Sequence, residues 1–248
     1  MNSQKTALIT GAAGGLGRAL ADKLAANGWQ LVVVSRDGER LHQAYGERHL
    51  QIVADCSTAS GAKQIFSEAK AAQKTPDALA HCVGNIRLGA LHRMSESDFM
   101  DCLNANLISA FHTLAAFVGA RREAKQPGAA VFVSSAAARI GTPNHEAVAA
   151  AKAGIEGLVR GSAASYASVG IRVNAVAPGI MDTPAAASII GSEIARQAAA
   201  RQYPLAGIGS PNELAELMAW LLDENARRVT GQIWSMDGGF SSIRPLVK

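Results

Sequence analysis

Short apolar runs alternate with longer amphipathic stretches along this chain. The runs have the length of buried strands, and the stretches between them repeat apolar positions with helical spacing. The predicted strands are residues 7–10, 31–35, 51–54, 78–83, 130–134, 172–176 and 232–235. The predicted helices include residues 15–27, 61–73, 98–125, 145–168 and 211–223.

This alternation predicts the fold class. Strands separated by helices need right-handed crossovers, which place helices on both faces of a parallel sheet. No repeat, low-complexity linker or shift in composition divides the chain. We therefore predict α/β architecture in a single domain over residues 1–248: a doubly wound, parallel seven-stranded sheet with helices on both faces.

Composition and charge narrow the class of protein. The chain of 248 residues is 48% hydrophobic and 18% charged, which is enough apolar material for a substantial core. Its net charge of +4 comes from scattered basic residues, whereas a nucleic-acid surface needs them clustered on one face. An anionic cofactor or substrate explains the mild positive balance, and an ordinary solvated surface explains it equally well.

The cysteines and the chain start indicate the compartment. Cys56, Cys82 and Cys102 are odd in number and lack the spacing of metal ligands. No 18-residue apolar run appears, and the first residues lead directly into a predicted strand. We expect a cytoplasmic protein with reduced cysteines, no bound metal and no membrane partner.

A glycine-rich turn follows the first predicted strand. Residues 10–17 read Thr-Gly-Ala-Ala-Gly-Gly-Leu-Gly and run into a predicted helix. Glycine permits a tight turn and close approach of the backbone to a pyrophosphate, and the helix amino end presents free N–H groups to negative charge. Between a first strand and a first helix, this cluster predicts a dinucleotide site at Gly11, Gly15, Leu16 and Gly17.

The end of the second predicted strand indicates which dinucleotide binds. An acidic residue there would bond the ribose hydroxyls and repel a 2′-phosphate. This chain has Ser35 and Arg36, whose hydroxyl and guanidinium suit a phosphate. Asp37 follows directly, and we expect it to cap the next helix. NADP(H) is therefore the preferred cofactor and NAD(H) the possible one, with a merely solvated Arg36 as the alternative interpretation.

Taken together, these motifs resemble those of the short-chain dehydrogenase/reductase family, and the likeness spans essentially the whole chain. The matching positions are Gly11, Gly15, Gly17, Asp55, Asn106, Ser134, Ser135, Lys152, residues 172–179 with Pro178 and Gly179, Thr183, and residues 237–239. The resemblance implies a Rossmann fold in which Asp55 contacts adenine. It also implies that Gly84, Pro178, Gly179 and Thr183 lie along the cofactor.

The resemblance also implies a catalytic set with one member missing. In the family a serine orients the substrate carbonyl, a tyrosine transfers the proton, a lysine lowers the tyrosine pKa and holds the nicotinamide ribose, and an asparagine anchors a water relay. Ser135, Lys152 and Asn106 match three of these. The position four before the lysine is Val148, which can neither donate nor accept a proton. The three tyrosines of the chain, Tyr45, Tyr166 and Tyr203, all lie outside the stretch between the serine and the lysine.

His145 is the neighbour that could replace the tyrosine. It precedes Val148 by three residues, which places it one helical turn away on roughly the same face. An imidazole changes charge near neutral pH and can exchange a proton with a carbonyl oxygen, directly or through water. Proton donor, substrate contact and surface histidine all remain open for His145. Glu146 points about 100° away on the helix and is the weaker candidate.

A second departure from the family lies at the end of the fourth predicted strand. Relatives carry Asn-Asn-Ala-Gly, and this chain has His81, Cys82, Val83 and Gly84, followed by Asn85. Neither His81 nor Cys82 has a metal-like partner in the sequence. We interpret the change as altered packing, with a reactive Cys82 as the remote alternative.

These observations predict an NADP(H)-dependent oxidoreductase acting on a carbonyl or alcohol, with a proton donor other than tyrosine. The substrate-covering segment, residues 184–204, is rich in Ala and Ile and suits an apolar ketone or a 3-oxoacyl-type small molecule. The alternatives are a degenerate nucleotide-binding or scaffold subunit and a non-redox reaction in the same pocket. The resemblance and the small-residue helix 147–168 further imply a homotetramer or homodimer.

Overall fold

The computed structural model describes residues 4–244, and these contain one sheet of seven strands. The strands are β1 (Thr6–Thr10), β2 (Gln30–Ser35), β3 (Leu50–Val53), β4 (Ala78–His81), β5 (Gly128–Val133), β6 (Ile171–Pro178) and β7 (Ile233–Met236). Their order is β3-β2-β1-β4-β5-β6-β7, and every neighbouring pair is parallel. The predicted fold class is confirmed.

Helices connect the strands and cover both faces of the sheet. They are α1 (Gly15–Ala26), α2 (Gly38–Tyr45), α3 (Ala59–Ala71), α4 (Glu96–Leu103), α5 (Ser109–Glu123), α6 (Glu146–Tyr166), α7 (Ala187–Ile190), α8 (Glu193–Ala200) and α9 (Pro211–Leu222). A π-helical segment, Asn104–Ile108, joins α4 to α5.

The core consists of two apolar layers, one on each face of the sheet. Alternate strand residues point to opposite faces, so Ala7 and Ile9 of β1 pack with α1, α2 and α9, whereas Leu8 packs with α3, α5 and α6. Both layers exclude solvent, which is why the strands lack the polar alternation of a half-exposed sheet.

The strand order sets the position of the binding crevice. The chain moves outward from β1 to β3 and then crosses back to β4 on the other side of β1. Ligands of doubly wound sheets bind at this switch point, beyond the carboxyl ends of the strands. The glycine turn after β1 and residues 82–85 after β4 therefore flank the same crevice.

The structure corrects three details of the predicted helices. The continuous helix predicted over residues 98–125 is divided by the π-helical segment, and His145 precedes α6 instead of belonging to it. The helix expected after Asp37 had no predicted bounds; it is α2, in which only Leu41 and Tyr45 of eight residues are buried. The substrate-covering segment, residues 184–204, contains α7 and α8.

The stretch Glu96–Glu123 is long and apolar enough to cross a membrane by length and composition alone. In the structure its apolar residues include Leu114 and Phe117, which are buried against the sheet with residues of α3 and α6.

Candidate active site

The turn after β1 is built so that only glycine fits at two positions. Gly11 has φ +66°, and a Cβ there would lie 2.8 Å from the carbonyl carbon and oxygen of Cys82. A Cβ on Gly17 would lie 2.4 Å from the oxygen of Gly11. The backbone therefore folds tightly between β1 and α1, as a pyrophosphate-binding turn requires.

The amino end of α1 leaves its first amides to a ligand. Gly14 is the N-cap and has no side chain to bond them. The first helical bond runs from the Arg18 N–H to the Gly14 oxygen, so the N–H groups of Gly15, Leu16 and Gly17 precede the helical ladder. A Cβ on Gly15 would lie 3.0 Å from Thr183 Cγ2, which places Thr183 beside this turn.

Just after β2, the carboxylate of Asp37 already has a hydrogen-bond donor within the protein. Asp37 caps α2, accepting from the Arg40 N–H at 3.0 Å, as predicted. Ser35 Oγ accepts from the Asp37 N–H at 3.1 Å, and the Arg36 side chain is exposed at the cavity rim. Arg40 also lines this rim, although the sequence analysis did not predict it as a site residue. Its position in the first turn of the helix after β2 could have indicated this role.

Asp55 lies just beyond β3, along the same side of the cavity. Its Oδ1 accepts from the Ser57 N–H at 2.9 Å and from Ser57 Oγ at 2.7 Å. Burial acts to raise the pKa of Asp55, but these hydrogen bonds and the charge of Arg36 outweigh it, so the pKa is lowered. The site therefore presents an ionised carboxylate here, and its contact with adenine stays a prediction.

Lys152 is buried on α6 with its ammonium beside the carboxyl end of β5. Nζ donates to the Val133 oxygen at 2.9 Å. Burial lowers the lysine pKa to about 8, and the neighbouring Cys102 and Cys82 partly oppose this shift. Lys152 can therefore gain and lose a proton much closer to neutral pH than an exposed lysine does.

Asn106 lies in the π-helical segment and carries an unpaired buried acceptor. Its Nδ2 donates to the Cys102 oxygen and to Asn85 Oδ1, both at 2.9 Å. Within residues 4–244 its Oδ1 has no hydrogen-bond partner. A Cβ on Gly84 would lie 2.5 Å from this oxygen and 3.1 Å from Lys152 Nζ. The amide oxygen and the ammonium thus converge where only glycine leaves room, so a donor on a bound ligand or water fits here.

Ser135 and Val148 lie on the reaction side of the cavity. Ser135 is extended, and its Oγ accepts from the Ala137 N–H at 3.1 Å, which leaves the hydroxyl hydrogen for a substrate oxygen. Val148 is 4% exposed and packs in a small apolar cluster with Cys102 and Phe99. The position that the family resemblance assigns to tyrosine is therefore apolar.

His145 is held in place by the loop before α6. It is the N-cap residue, so its relation to Val148 differs from the predicted helical turn. The ring Nδ1 lies 2.8 Å from the Pro143 oxygen. A carbonyl only accepts, so Nδ1 carries a hydrogen and Nε2 is the ring nitrogen free to exchange a proton with a ligand. Glu146 is exposed at the start of α6.

The glycine turn, the end of β2 and the reaction-side residues line one cavity of about 930 Å³. Every predicted site residue lines it: Gly11, Gly15, Leu16, Gly17, Ser35, Arg36, Asp55, Gly84, Asn106, Ser135, His145, Lys152, Pro178, Gly179 and Thr183. Among the described residues, no group of three or more His, Cys, Asp or Glu is placed to hold a metal ion.

Tyr203 is a lining residue that sequence reasoning missed, because it is far from Lys152 in the chain. Its hydroxyl accepts from the Ile180 N–H at 2.7 Å, and a Cβ on Gly179 would lie 2.6 Å from its ring. Burial raises its pKa, so the hydroxyl stays protonated. Tyr203 supports the loop after β6, and a small residue at 179 is the only sequence signal of it.

The second departure from the family is a packing change, as interpreted from the sequence. Burial raises the pKa of the Cys82 thiol to about 12, which makes it a poor nucleophile. His81 is buried between Thr10 and Ser109, with ring-nitrogen to hydroxyl distances of 2.9 and 3.0 Å. Arg196 of α8 pairs with Asp182.

Comparison with known proteins shows the family of this chain. The family model described as Enoyl-(Acyl carrier protein) reductase matches residues 11–241, and the chain belongs to the short-chain dehydrogenase/reductase family. Carbonyl reductase family member 4 of Danio rerio is 33% identical, over 96% of this chain and 99% of the relative. The 3-oxoacyl-[acyl-carrier-protein] reductase FabG of Staphylococcus aureus strain Mu50 is 30% identical, over 96% of this chain and 99% of the relative.

Solved structures share the fold. The structure of ElxO with NADP bound is 24% identical and superposes with a TM-score of 0.90, covering 97% of this chain and 100% of that one. At this identity the likeness establishes the architecture alone.

Proposed function

We propose that this protein is an NADP(H)-dependent oxidoreductase acting on a carbonyl or alcohol, with a proton donor other than tyrosine. One observation carries the proposal: a single cavity joins the glycine turn and Arg36 to Ser135, Asn106 and Lys152. The family relatives named as carbonyl and 3-oxoacyl reductases support the same class of reaction.

The cofactor proposal follows from charge at the carboxyl end of β2. Arg36 and Arg40 bring two guanidinium groups to the rim, while Asp37 is committed to capping α2. Guanidinium suits a phosphate, and the carboxylate next to Arg36, that of Asp37, is engaged by the Arg40 N–H. The solved structure of ElxO contains NADP in the same fold.

The bound cofactor would supply the hydride, and this chain's residues would supply orientation and the proton. Ser135 donates its hydroxyl hydrogen to the substrate oxygen. His145 in its doubly protonated form delivers the proton on Nε2 to the same oxygen, directly or through one water, and is left as the neutral ring with its hydrogen on Nδ1. Lys152 and Asn106 hold the ligand at the point where Gly84 leaves room.

The substrate proposal rests on the lining of the reaction side. Ala185, Ala186 and Ile189 come from the substrate-covering segment, and Ile86 also lines the cavity. An apolar wall beside few polar groups favours an apolar ketone, including a 3-oxoacyl thioester. The Staphylococcus aureus relative is named for a 3-oxoacyl substrate.

Val148 favours a second candidate: a nucleotide-binding or scaffold subunit, or a non-redox reaction in this pocket. A buried valine in the tyrosine's place is compatible with a protein that binds the dinucleotide without turning it over. Product analysis separates a non-redox reaction from the absence of any reaction.

The test follows NADPH absorbance with activated ketones and a 3-oxoacyl thioester, for wild type and His145→Ala. We expect slow consumption with the matching alcohol as product. We expect His145→Ala to lower kcat by about 10²-fold, the lower end for general acid catalysis, and to change the pH–rate profile. His42→Ala is the matched control, since His42 is exposed on α2 outside the cavity lining.

Two results would contradict the proposal at different points. Unchanged rate and pH profile in His145→Ala would exclude His145 as the donor. Tight NADPH binding without consumption of any carbonyl in the panel would replace the reductase with the nucleotide-binding candidate.

A further inference from the structure

His81 is a buried polar side chain that the proposed reaction does not use. It is the last residue of β4 and 1% exposed. Its ring bridges two buried hydroxyls, Thr10 Oγ1 at 2.9 Å from Nδ1 and Ser109 Oγ at 3.0 Å from Nε2. Both hydroxyl residues are fully buried, so this chain of hydrogen bonds excludes water.

The bonds of Ser109 assign a direction to both hydrogen bonds of the His81 ring. Ser109 Oγ donates its hydrogen to the Ala105 oxygen at 2.8 Å, so it must accept from His81. The ring therefore carries its hydrogen on Nε2, and Nδ1 accepts from the Thr10 hydroxyl. Burial, aided by the charge of Lys152, lowers the His81 pKa to about 3, so the neutral ring persists across the physiological pH range.

The two ends of this series of hydrogen bonds adjoin segments that line the cavity. Thr10 immediately precedes Gly11 of the pyrophosphate turn. Ser109 closes the π-helical segment: its N–H bonds the Asn104 oxygen, and its hydroxyl bonds the Ala105 oxygen. Asn106, with its unpaired Oδ1, lies inside that closed segment.

We propose that His81 is a positioning residue that couples the pyrophosphate turn to the π-helical segment presenting Asn106. The two bonds of the ring fix the distance between the strand end and the segment, and buried hydrogen bonds of set direction resist sliding. Cofactor binding at Gly11 then orders the segment that holds Asn106 beside Lys152. The catalytic consequence rests on the proposed reductase function, whereas the coupling itself does not.

The test uses Ser109→Ala, which removes the bond at the π-helical end, and Thr10→Val, which removes the bond at the strand end. Ser109→Ala also removes the bond to the Ala105 oxygen, whereas Thr10→Val keeps it, so the pair separates the two effects. Thr113→Val is the matched control: it removes a buried hydroxyl one turn further along α5, bonded at 2.7 Å to the Ser109 oxygen and not to His81. Hydrogen exchange of residues 11–17 and 104–109 is measured with and without saturating NADPH, together with kcat and KM.

We expect NADPH to slow exchange in both segments of the wild type. In Ser109→Ala the protection of residues 11–17 should persist and that of residues 104–109 should be lost. The kcat should fall on the order of tenfold with KM nearly unchanged, the pattern of a misplaced catalytic group. Thr113→Val should keep both protections and the wild-type kcat. Thr10→Val should show the same loss at residues 104–109. If it keeps the protection that Ser109→Ala loses, the Ala105 bond and not His81 is responsible, and the proposal fails.

The proposal is overturned if Ser109→Ala keeps NADPH-dependent protection of residues 104–109, or if Thr113→Val loses it equally. Loss of that protection in Ser109→Ala, in a protein that reduces no carbonyl, would retain the coupling and reject the reductase function.

Discussion

A tyrosine in place of Val148 would complete the catalytic set that the family resemblance implies. If Ser135, Lys152 and Asn106 are poised for a carbonyl, Val148→Tyr supplies the missing acid one turn before Lys152. We expect it to raise kcat on an activated ketone by about 10²-fold, the scale of general acid catalysis. Consumption of NADPH measures the gain.

Val148→Phe is the matched control, because it adds the same ring without the hydroxyl. Either ring must displace part of the apolar cluster of Cys102 and Phe99, so NADPH affinity is measured for both variants. Equal rates in the two variants, with cofactor binding intact, would show that the other three residues are not arranged for proton transfer to a carbonyl.

Arg36 provides a test of cofactor preference. Its guanidinium at the cavity rim can pair with a 2′-phosphate, which NADH lacks. We expect wild type to bind NADPH more tightly than NADH, and Arg36→Ala to weaken NADPH by about tenfold, a loss typical of one charge-assisted hydrogen bond. Calorimetry with NADH is the internal control and should change little. Equal affinities of the wild type for both cofactors would contradict the NADP(H) preference.

Burial of the Lys152 ammonium lowers the stability of the folded protein at neutral pH. Its folded-state pKa of about 8 lies below the ordinary lysine value of 10.5, so its contribution to stability is greatest above pH 10.5 and is lost as pH falls to about 8. At pH 7 Lys152→Met should therefore increase the free energy of unfolding by about 1–3 kcal/mol.

Urea unfolding at several pH values measures this gain for Lys152→Met, and the same variant should lack turnover. The advantage over wild type should shrink as pH rises from 8 towards 10.5. A variant less stable than wild type at pH 7 would show that the Nζ bond to the Val133 oxygen outweighs the burial of the charge.

At the scale of elements, the strands and the glycine turn could be predicted because their signals are local. Each buried strand is an apolar run with polar or glycine residues at its ends, and predicted and observed bounds differ by at most two residues. The turn at Gly11 was predictable because steric overlap with the Cys82 carbonyl excludes any side chain there. Parallel strands then bring their carboxyl ends to one edge, which gathers the predicted site residues into one cavity.

The missed elements lack such local signals. The π-helical segment depends on one additional residue per turn and on the tertiary bond between Ser109 and His81. His145 was placed in a helix by periodicity, but Pro143 and the left-handed Asn144, with φ +63°, end the loop so that α6 starts one residue later. Tyr203 and Arg40 reach the cavity only through packing of α2 and the segment after α8.

At the scale of the whole molecule, the two sides of the crevice have different chemistry. The β1–β3 side presents the glycine turn, Asp55 and the guanidinium groups, which suit an anionic nucleotide. The β4–β6 side presents Ser135, Lys152 and His145 beside an apolar wall. A dinucleotide across the switch point would span both sides, and we expect its reactive end to lie beside the candidate acid.

The outer face of α5 and α6 supports the prediction of a homodimer or homotetramer. A groove between these helices is lined by Phe111, Leu114, Val118, Leu158 and Tyr166, and Phe111 is 48% exposed. Small residues along α6 allow a second copy to pack closely there, and burying such a face stabilises association.

We expect light scattering to give a mass of two or four times 25.7 kDa, and Phe111→Glu to shift it towards the monomer. Ile194→Glu, at an 83% exposed position on α8, is the control and should leave the mass unchanged. A wild-type mass of 25.7 kDa at every concentration would contradict the predicted oligomer and leave this apolar face without an explanation.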